Sequence, residues 1–161
     1  MRRVAQIALG AVVLLPILAA GAGMLIGGGI LHPQRRSLTA IQIQQADQVF
    51  MRIGAIRDEF EVRAADGVVL RGWKVRPPKA NGDWALLFHG VSDNRIGVLG
   101  HAEFLLRNGY SVLMMDARAH GASDGLLATY GWLERHDTHA VVVALYQSET
   151  VHCLFALGES M

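Results

Sequence analysis

The 161 residues carry 15 Lys and Arg against 14 Asp and Glu, a net charge of +1, and 52% of them are apolar. That length holds one domain with an accessory segment. The near-neutral balance, with no basic run interleaved with aromatics, excludes an electrostatic case for nucleic acid, and the single cysteine, Cys153, excludes an internal disulfide.

The apolar excess is concentrated at the N-terminus. After Met1-Arg2-Arg3, no charged residue occurs from Val4 to Leu31. As a helix rising ~1.5 Å per residue, this run exceeds the ~30 Å hydrocarbon core of a bilayer. Residues 1–31 are therefore expected to form a signal anchor, a single transmembrane helix with membrane lipid as the partner of residues 4–31. A cleaved secretory signal is the alternative, because Ala19-Ala20-Gly21-Ala22 offers small residues for cleavage, although signal cores are usually shorter. A buried core helix fits poorly, since nothing nearby would cover so long an apolar element. Pro16 and the glycines at 21, 23, 27, 28 and 29 are tolerated in membrane helices. Gly23-Met24-Leu25-Ile26-Gly27 has small-xxx-small spacing, but a stretch so rich in glycine makes that match uninformative. Arg2 and Arg3 favour a cytoplasmic N-terminus and an extracytoplasmic domain, against which Arg35 and Arg36 stand in equal number.

Residues 32–57 read as a juxtamembrane linker and an amphipathic helix. Ser37 is the expected N-cap, Leu38, Ile41, Val49, Phe50 and Ile53 recur at helical spacing, and Gly54 ends the helix. This helix either packs on the domain or lies on a membrane surface. From Asp58, at the start of the domain assigned to residues 58–161, the period becomes two. Phe60, Val62 and Ala64, a turn at Ala65-Asp66-Gly67, and a run from Val68 to Val75 closed by Pro77-Pro78 predict a β-hairpin. Trp84–Phe88 is continuously apolar, as a strand buried on both faces requires. A helix is expected around Gly97–Arg107 with Asn108-Gly109 as its C-cap, then a buried strand at Ser111–Met115, a helix at Trp132–Gln147 and a last strand at Val151–Leu157. Hairpin, strand, helix, strand, helix and strand in that order imply an α/β fold with a mostly parallel sheet.

Three motifs follow three successive parallel strands, at the sheet end where open α/β folds carry their sites. The first is Phe88-His89-Gly90-Val91-Ser92, whose glycine lets backbone N–H groups turn toward a ligand oxygen. By itself His-Gly is more often only a turn. The second is Asp116-Ala117-Arg118-Ala119-His120-Gly121-Ala122-Ser123-Asp124-Gly125, whose charged residues are expected to tie the loop together through an Asp–Arg pair. The third is Gly158-Glu159-Ser160-Met161. A serine in a tight strand-to-helix turn is lifted above the sheet edge, and small residues must flank it.

In this order, His-Gly, Asp-x-Arg-x-x-Gly-x-Ser and Gly-Glu-Ser resemble the α/β-hydrolase superfamily, above all its serine aminopeptidase-like and dienelactone hydrolase-like branch. Tyr130-Gly131-Trp132-Leu133-Glu134-Arg135-His136-Asp137 is similar to that branch too. The resemblance covers Glu59–Met161 and implies the N-terminal half of an α/β-hydrolase sheet, ending at the nucleophile elbow. It implies Ser160 as nucleophile, with the backbone N–H groups of Val91 and Met161 as oxyanion donors. It makes His89, Gly90, Asp116, Arg118 and Gly121 structural loop residues. Ala119 departs from the glycine usual at its place. The implied reaction is cleavage of an ester, amide or thioester, of a small-molecule or peptide substrate, through an acyl-serine. No metal or organic cofactor is implied, since the sequence shows neither a ligand cluster nor a phosphate-cradling loop.

The family order is nucleophile, then acid, then histidine, whereas only Met161 follows Ser160 here. His89 and His120 are predicted at the site end, yet without a third group to orient the imidazole neither is a strong base. The 161 residues alone are thus expected to be inactive. The last strand is expected to present an open, hydrophobic edge prone to self-association. Two other readings stand beside this one. One is a non-catalytic membrane-anchored domain that binds a partner through that edge, and the other is an enzyme completed by a separate chain.

Overall fold

The computed structural model describes residues 2–159, the side chains of 2–11 and 13 excepted. The chain divides into two units, Met1–His32 and Pro33–Met161. The first is helix α1, Arg2–Leu31. Within it Leu14–Leu31 is long and apolar enough to cross a membrane, a property that signal sequences share. The His32 imidazole closes the last turn, its Nδ1 2.7 Å from the Gly28 carbonyl oxygen, one of the acceptors a helix end leaves without an intrahelical donor.

In the second unit, α2 (Ala40–Ile53) is capped by Thr39 and not by the expected Ser37. Thr39 has Gln42 three residues on. The Thr39 N–H donates to Gln42 Oε1 at 3.0 Å, and the Gln42 N–H donates to Thr39 Oγ1 at 3.2 Å. Ser37 has Ala40 at that place and has no side chain to complete the reciprocal cap. Gly54 ends the helix as expected, in the left-handed conformation. Ala46, Val49 and Phe50 are buried in one cluster with Leu105 and Leu106, so the helix packs on the domain.

Strands β1 (Ile56–Arg63) and β2 (Val69–Arg76) form the predicted antiparallel hairpin. Strands β3 (Trp84–Phe88), β4 (Ser111–Met115) and β5 (Leu154–Gly158) complete a sheet of order β1-β2-β4-β3-β5, in which β4, β3 and β5 run parallel. Gly72 of β2 lies so close to β4 that a Cβ would meet the Met114 carbonyl oxygen at 2.6 Å. The continuous apolar runs are explained by burial on both faces. Trp73, Val75, Ala85, Leu87, Val112 and Met114 pack toward α2 and α3 (Leu99–Arg107). Leu70, Trp84, Leu86, Leu113 and Met115 pack with Val141 and Leu145 of α4 (Glu134–Ser148). Each such leucine contributes about 1.5–3 kcal/mol by leaving water.

Several boundaries differ from expectation by a residue or more, among them the start of β1 at Ile56 and not Asp58, and three have a clear local cause. Gly97 falls inside a 3-10 turn, Arg95–Val98, because Asn94 Oδ1 accepts the Ile96 N–H at 3.0 Å, and α3 follows it. Helix α4 starts at Glu134 and not at Trp132, since Thr129 Oγ1 accepts the Leu133 N–H at 2.8 Å and Gly131 has φ +110°. The ladder of β5 begins only at Leu154, opposite Trp84, while the His152 N–H is taken by the Gly82 carbonyl at 2.9 Å. Phe88 pairs with Met115 on one side and Gly158 on the other, so the C-terminal ends of all three parallel strands meet at one end of the sheet.

Candidate active site

The turn after β3 is held by its histidine. His89 is buried, and its Nδ1 lies 2.7 Å from the Gly90 carbonyl oxygen, which makes this nitrogen the donor. Its Nε2 accepts the Ala117 N–H at 3.1 Å, from the loop after β4. Both ring nitrogens are occupied, so the imidazole joins two loops and has no lone pair left to act as a base. Burial pushes its pKa below the ordinary value, which favours the same neutral form. Beyond it, Ser92 takes φ +58°, and the Asp93 N–H donates back to the Gly90 carbonyl at 3.3 Å. Val91 lies in this tight turn. Among the described residues none accepts a hydrogen bond from its N–H, which suits an oxyanion donor.

The loop after β4 carries more of the architecture than its motif suggests. The expected pair between Asp116 and Arg118 does not form. Asp116 instead accepts from the Arg95 N–H and guanidinium, both at 2.7 Å, and from the Ala122 N–H at 2.7 Å. Arg118 points the other way, a fork whose Nε and Nη2 donate to Asp137 of α4 at 2.6 Å each and whose Nη1 donates to Asp66 of the hairpin turn at 3.0 Å. The hydrogen bond from Arg118 holds the Asp66 carboxyl below its usual range, and Asp137 raises the Arg118 pKa further. The chain turns at Arg118, so Asp116 serves the α3 side, where Arg95 lies, and Arg118 serves the α4 side, where Asp137 lies.

Gly121 and Ser123 close the loop. Gly121 has φ +46°, and a Cβ there would lie 2.2 Å from the Asp116 carboxyl carbon. Ser123 is fully buried, donating to the Asp116 carbonyl at 2.7 Å and accepting the Arg71 N–H at 2.9 Å. Ala119, where glycine is usual, adopts φ +61°. It takes the left-handed conformation that glycine reaches without strain.

Ser160 and Met161, the expected nucleophile and second oxyanion donor, lie outside the described residues. Glu159 is described. Its N–H donates to the Phe88 carbonyl at 3.0 Å, and its carboxylate lies 3.2 Å from His101 Nδ1 of α3. A cavity of about 30 Å³ lies beside the turn, lined by His89, Val91, His120, Ala128 and Tyr130 among others. The His120 ring stands 5.1 Å from that of His89. Its Nδ1 donates to the Arg118 carbonyl at 2.8 Å, and its buried Nε2 has no hydrogen-bond partner among the described residues. Glu134 fastens the start of α4. Burial works against its charge, but hydrogen bonds from Thr129 and Gly131 outweigh it and hold the carboxyl below its usual range. Among the described residues no three His, Cys, Asp or Glu side chains group as metal ligands.

The structure is similar to that of esterase Pf2001 from Pyrococcus furiosus, with a TM-score of 0.67 and 27% identity over 83% of this chain and 49% of that one. It is also similar to the α/β hydrolase GrgF from Penicillium sp. sh18, with a TM-score of 0.53 and 24% identity over 63% of this chain and 37% of that one. The chain belongs to the α/β-hydrolase superfamily. It spans about half the length of the solved esterase. Among curated proteins it is 32% identical over 103 residues to the uncharacterized protein YqkD of Bacillus subtilis (strain 168), 63% of this chain but a third (33%) of that protein. No family model matches the chain. As an α/β-hydrolase half, the chain brings together the turn at His89–Val91, the clamped loop at Asp116–Ser123 and the end of β5. Sequence reasoning missed Arg95, Asp137, Asp66 and Glu134 as the groups that hold those loops. Only Glu134 and Asp137 had a signal, as acids in the first turn of a helix, where anions are favoured.

Proposed function

We propose that this chain is the nucleophile-bearing front of a membrane-anchored serine hydrolase that cleaves an ester, amide or thioester through an acyl-serine on Ser160. The observation that carries this reading is the hydrogen bond from the Glu159 N–H to the Phe88 carbonyl, 3.0 Å. It sets the residue before Ser160 beside the turn that bears Val91. In the proposed reaction the Ser160 hydroxyl oxygen attacks the substrate carbonyl carbon, and the Val91 and Met161 N–H groups receive the oxyanion. The leaving group departs with a proton, and water then releases the acid from the serine. The likeness to esterase Pf2001 supports this class of chemistry, and α1 supports the anchor.

The serine needs a base and an orienting acid, which the family places after the nucleophile. Within residues 1–161 only Met161 follows Ser160, and His89 has no free nitrogen. On this reading residues 1–161 alone are inactive. A fluorophosphonate probe tests both parts. The protein expressed from its own gene should label on the peptide containing Ser160, and Ser160→Ala should abolish the label. An unlabelled native protein overturns the hydrolase reading, while labelling of residues 1–161 alone overturns the inactivity. The edge of β5, along which no second strand lies among the described residues, favours a second reading, a non-catalytic domain that binds a partner there.

A further inference from the structure

Leu126 is 83% and Trp132 66% exposed, and Val91, Leu127 and Tyr130 are also partly open. All five lie on the loops after β3 and β4, at the site end of the sheet, and Val91 and Tyr130 line one cavity. Apolar rims of this kind mark a surface that meets something other than water. The chain itself enters the domain at this end. Arg35 Nη2 donates to the Gly125 carbonyl at 2.8 Å, immediately before Leu126. Asn94 Nδ2 donates to the Arg36 carbonyl at 3.1 Å, and the Arg36 guanidinium lies 3.4 Å from Asp93. Cationic groups accompany the rim, Arg35 and Arg36 at the entry and Arg135, whose guanidinium lies 4.2 Å from the centre of the Trp132 ring.

We propose that the rim formed by Val91, Leu126, Leu127, Tyr130 and Trp132 docks on the lipid surface, so that the site end of the domain faces the bilayer. This rests on the reading of residues 4–31 as a membrane anchor. A tether that joins the domain at its apolar end offers that end to the lipid. Indole rings settle at headgroup depth, and guanidinium groups beside them pair with anionic headgroups.

The chain has three tryptophans, none of them before residue 73. Trp73 and Trp84 are each 2% exposed, so a quencher carried on lipid chains reads Trp132. The full chain is placed in vesicles of phosphatidylcholine and phosphatidylglycerol, with and without brominated acyl chains, and recovered by flotation. The expected result is partial quenching of the tryptophan emission by the brominated lipid. That component should vanish in Trp132→Phe and weaken in Leu126→Asp, two exposed positions where substitution leaves the core intact. Flotation without quenching overturns the docking and leaves the anchor standing. Failure to float overturns the anchor and the docking with it, and quenching that persists in Trp132→Phe overturns the docking by assigning the signal elsewhere.

Discussion

Arg95 closes on Asp116 twice, once through its backbone N–H and once through its guanidinium, both at 2.7 Å, with the two side chains almost entirely out of water. The contact locks the turn before α3 to the loop after β4, the two segments that flank the His89 turn. A buried pair adds little net stability, but a buried charge stripped of its partner is costly, about 3–5 kcal/mol. Asp116→Ala leaves two backbone N–H groups without their acceptor and the Arg95 guanidinium with only Glu59, 4.0 Å away, and is expected to cost about that much. Arg95→Met costs less, since Asp116 keeps the N–H groups of residues 95 and 122. Combined, the two substitutions should cost less than their sum by roughly 0.5–3 kcal/mol, the range for groups in direct contact. Urea unfolding followed by far-ultraviolet circular dichroism measures all three. Strict additivity would show that the pair is not coupled.

Gly121 is required for a reason that Gly67 is not. Both have positive φ, +46° and +88°, but a Cβ on Gly121 would collide with the Asp116 carboxylate, and one on Gly67 would meet nothing within 4 Å. Gly67→Ala therefore costs only the left-handed conformation, about 1 kcal/mol. Gly121→Ala adds displacement of a carboxylate held by three donors and should cost about 3 kcal/mol or more. Paired denaturation curves decide it. Equal losses would mean that the Asp116 side chain moves aside freely.

His89 makes the loops sensitive to acid. Its folded pKa lies below the ordinary 6.5 because of burial, and its Nε2 lone pair is engaged by the Ala117 N–H. The unfolded chain thus takes up a proton at a higher pH than the folded one. The contribution of His89 is complete above pH 6.5 and is lost as pH falls from there through the lowered folded value. Gln at this position retains an acceptor for the Ala117 N–H but does not titrate. The stability difference between wild type and His89→Gln should shrink or reverse as the buffer goes from about pH 7 to about pH 5, where histidine charges. A difference that stays constant over that range removes His89 as its origin.

The sheet was legible because its signal is chemical and local. Alternation in Phe60, Val62 and Ala64, and unbroken apolar runs at Trp84–Phe88 and Ser111–Met115, follow from which faces meet the core. The loops after β3 and β4 were legible by position, as the segments after parallel strands. The partners within them were not. Asp116 and Arg118 stand two apart and look like a pair, yet each reaches a residue about twenty positions away, Arg95 and Asp137. Which helix lies on which face of the sheet decides those distances, and no local pattern encodes it. Helix starts failed for a smaller reason. Ser37 and Thr39 are both competent caps, and only Gln42, three residues after Thr39, distinguishes them.

The edge of β5 bears on association. It pairs with β3 along one side, and among the described residues no strand lies along the other. Phe155 is half-buried and meets Tyr110 edge-on at 5.6 Å, so one face of the strand is anchored to the α3 side of the core, while Ala156 is exposed. An edge with unpaired N–H and C=O groups and few charges is a template for a second strand, and lysine on such an edge is a common protection. Residues 1–161 in detergent micelles are expected to sediment as dimers or larger species. Ala156→Lys should shift them toward monomer without changing the far-ultraviolet circular dichroism. Association through α1, where Gly23 and Gly27 have the spacing of a helix contact, would be untouched by that substitution. If Ala156→Lys sediments like wild type, association does not run through β5, and the partner-binding reading loses its support.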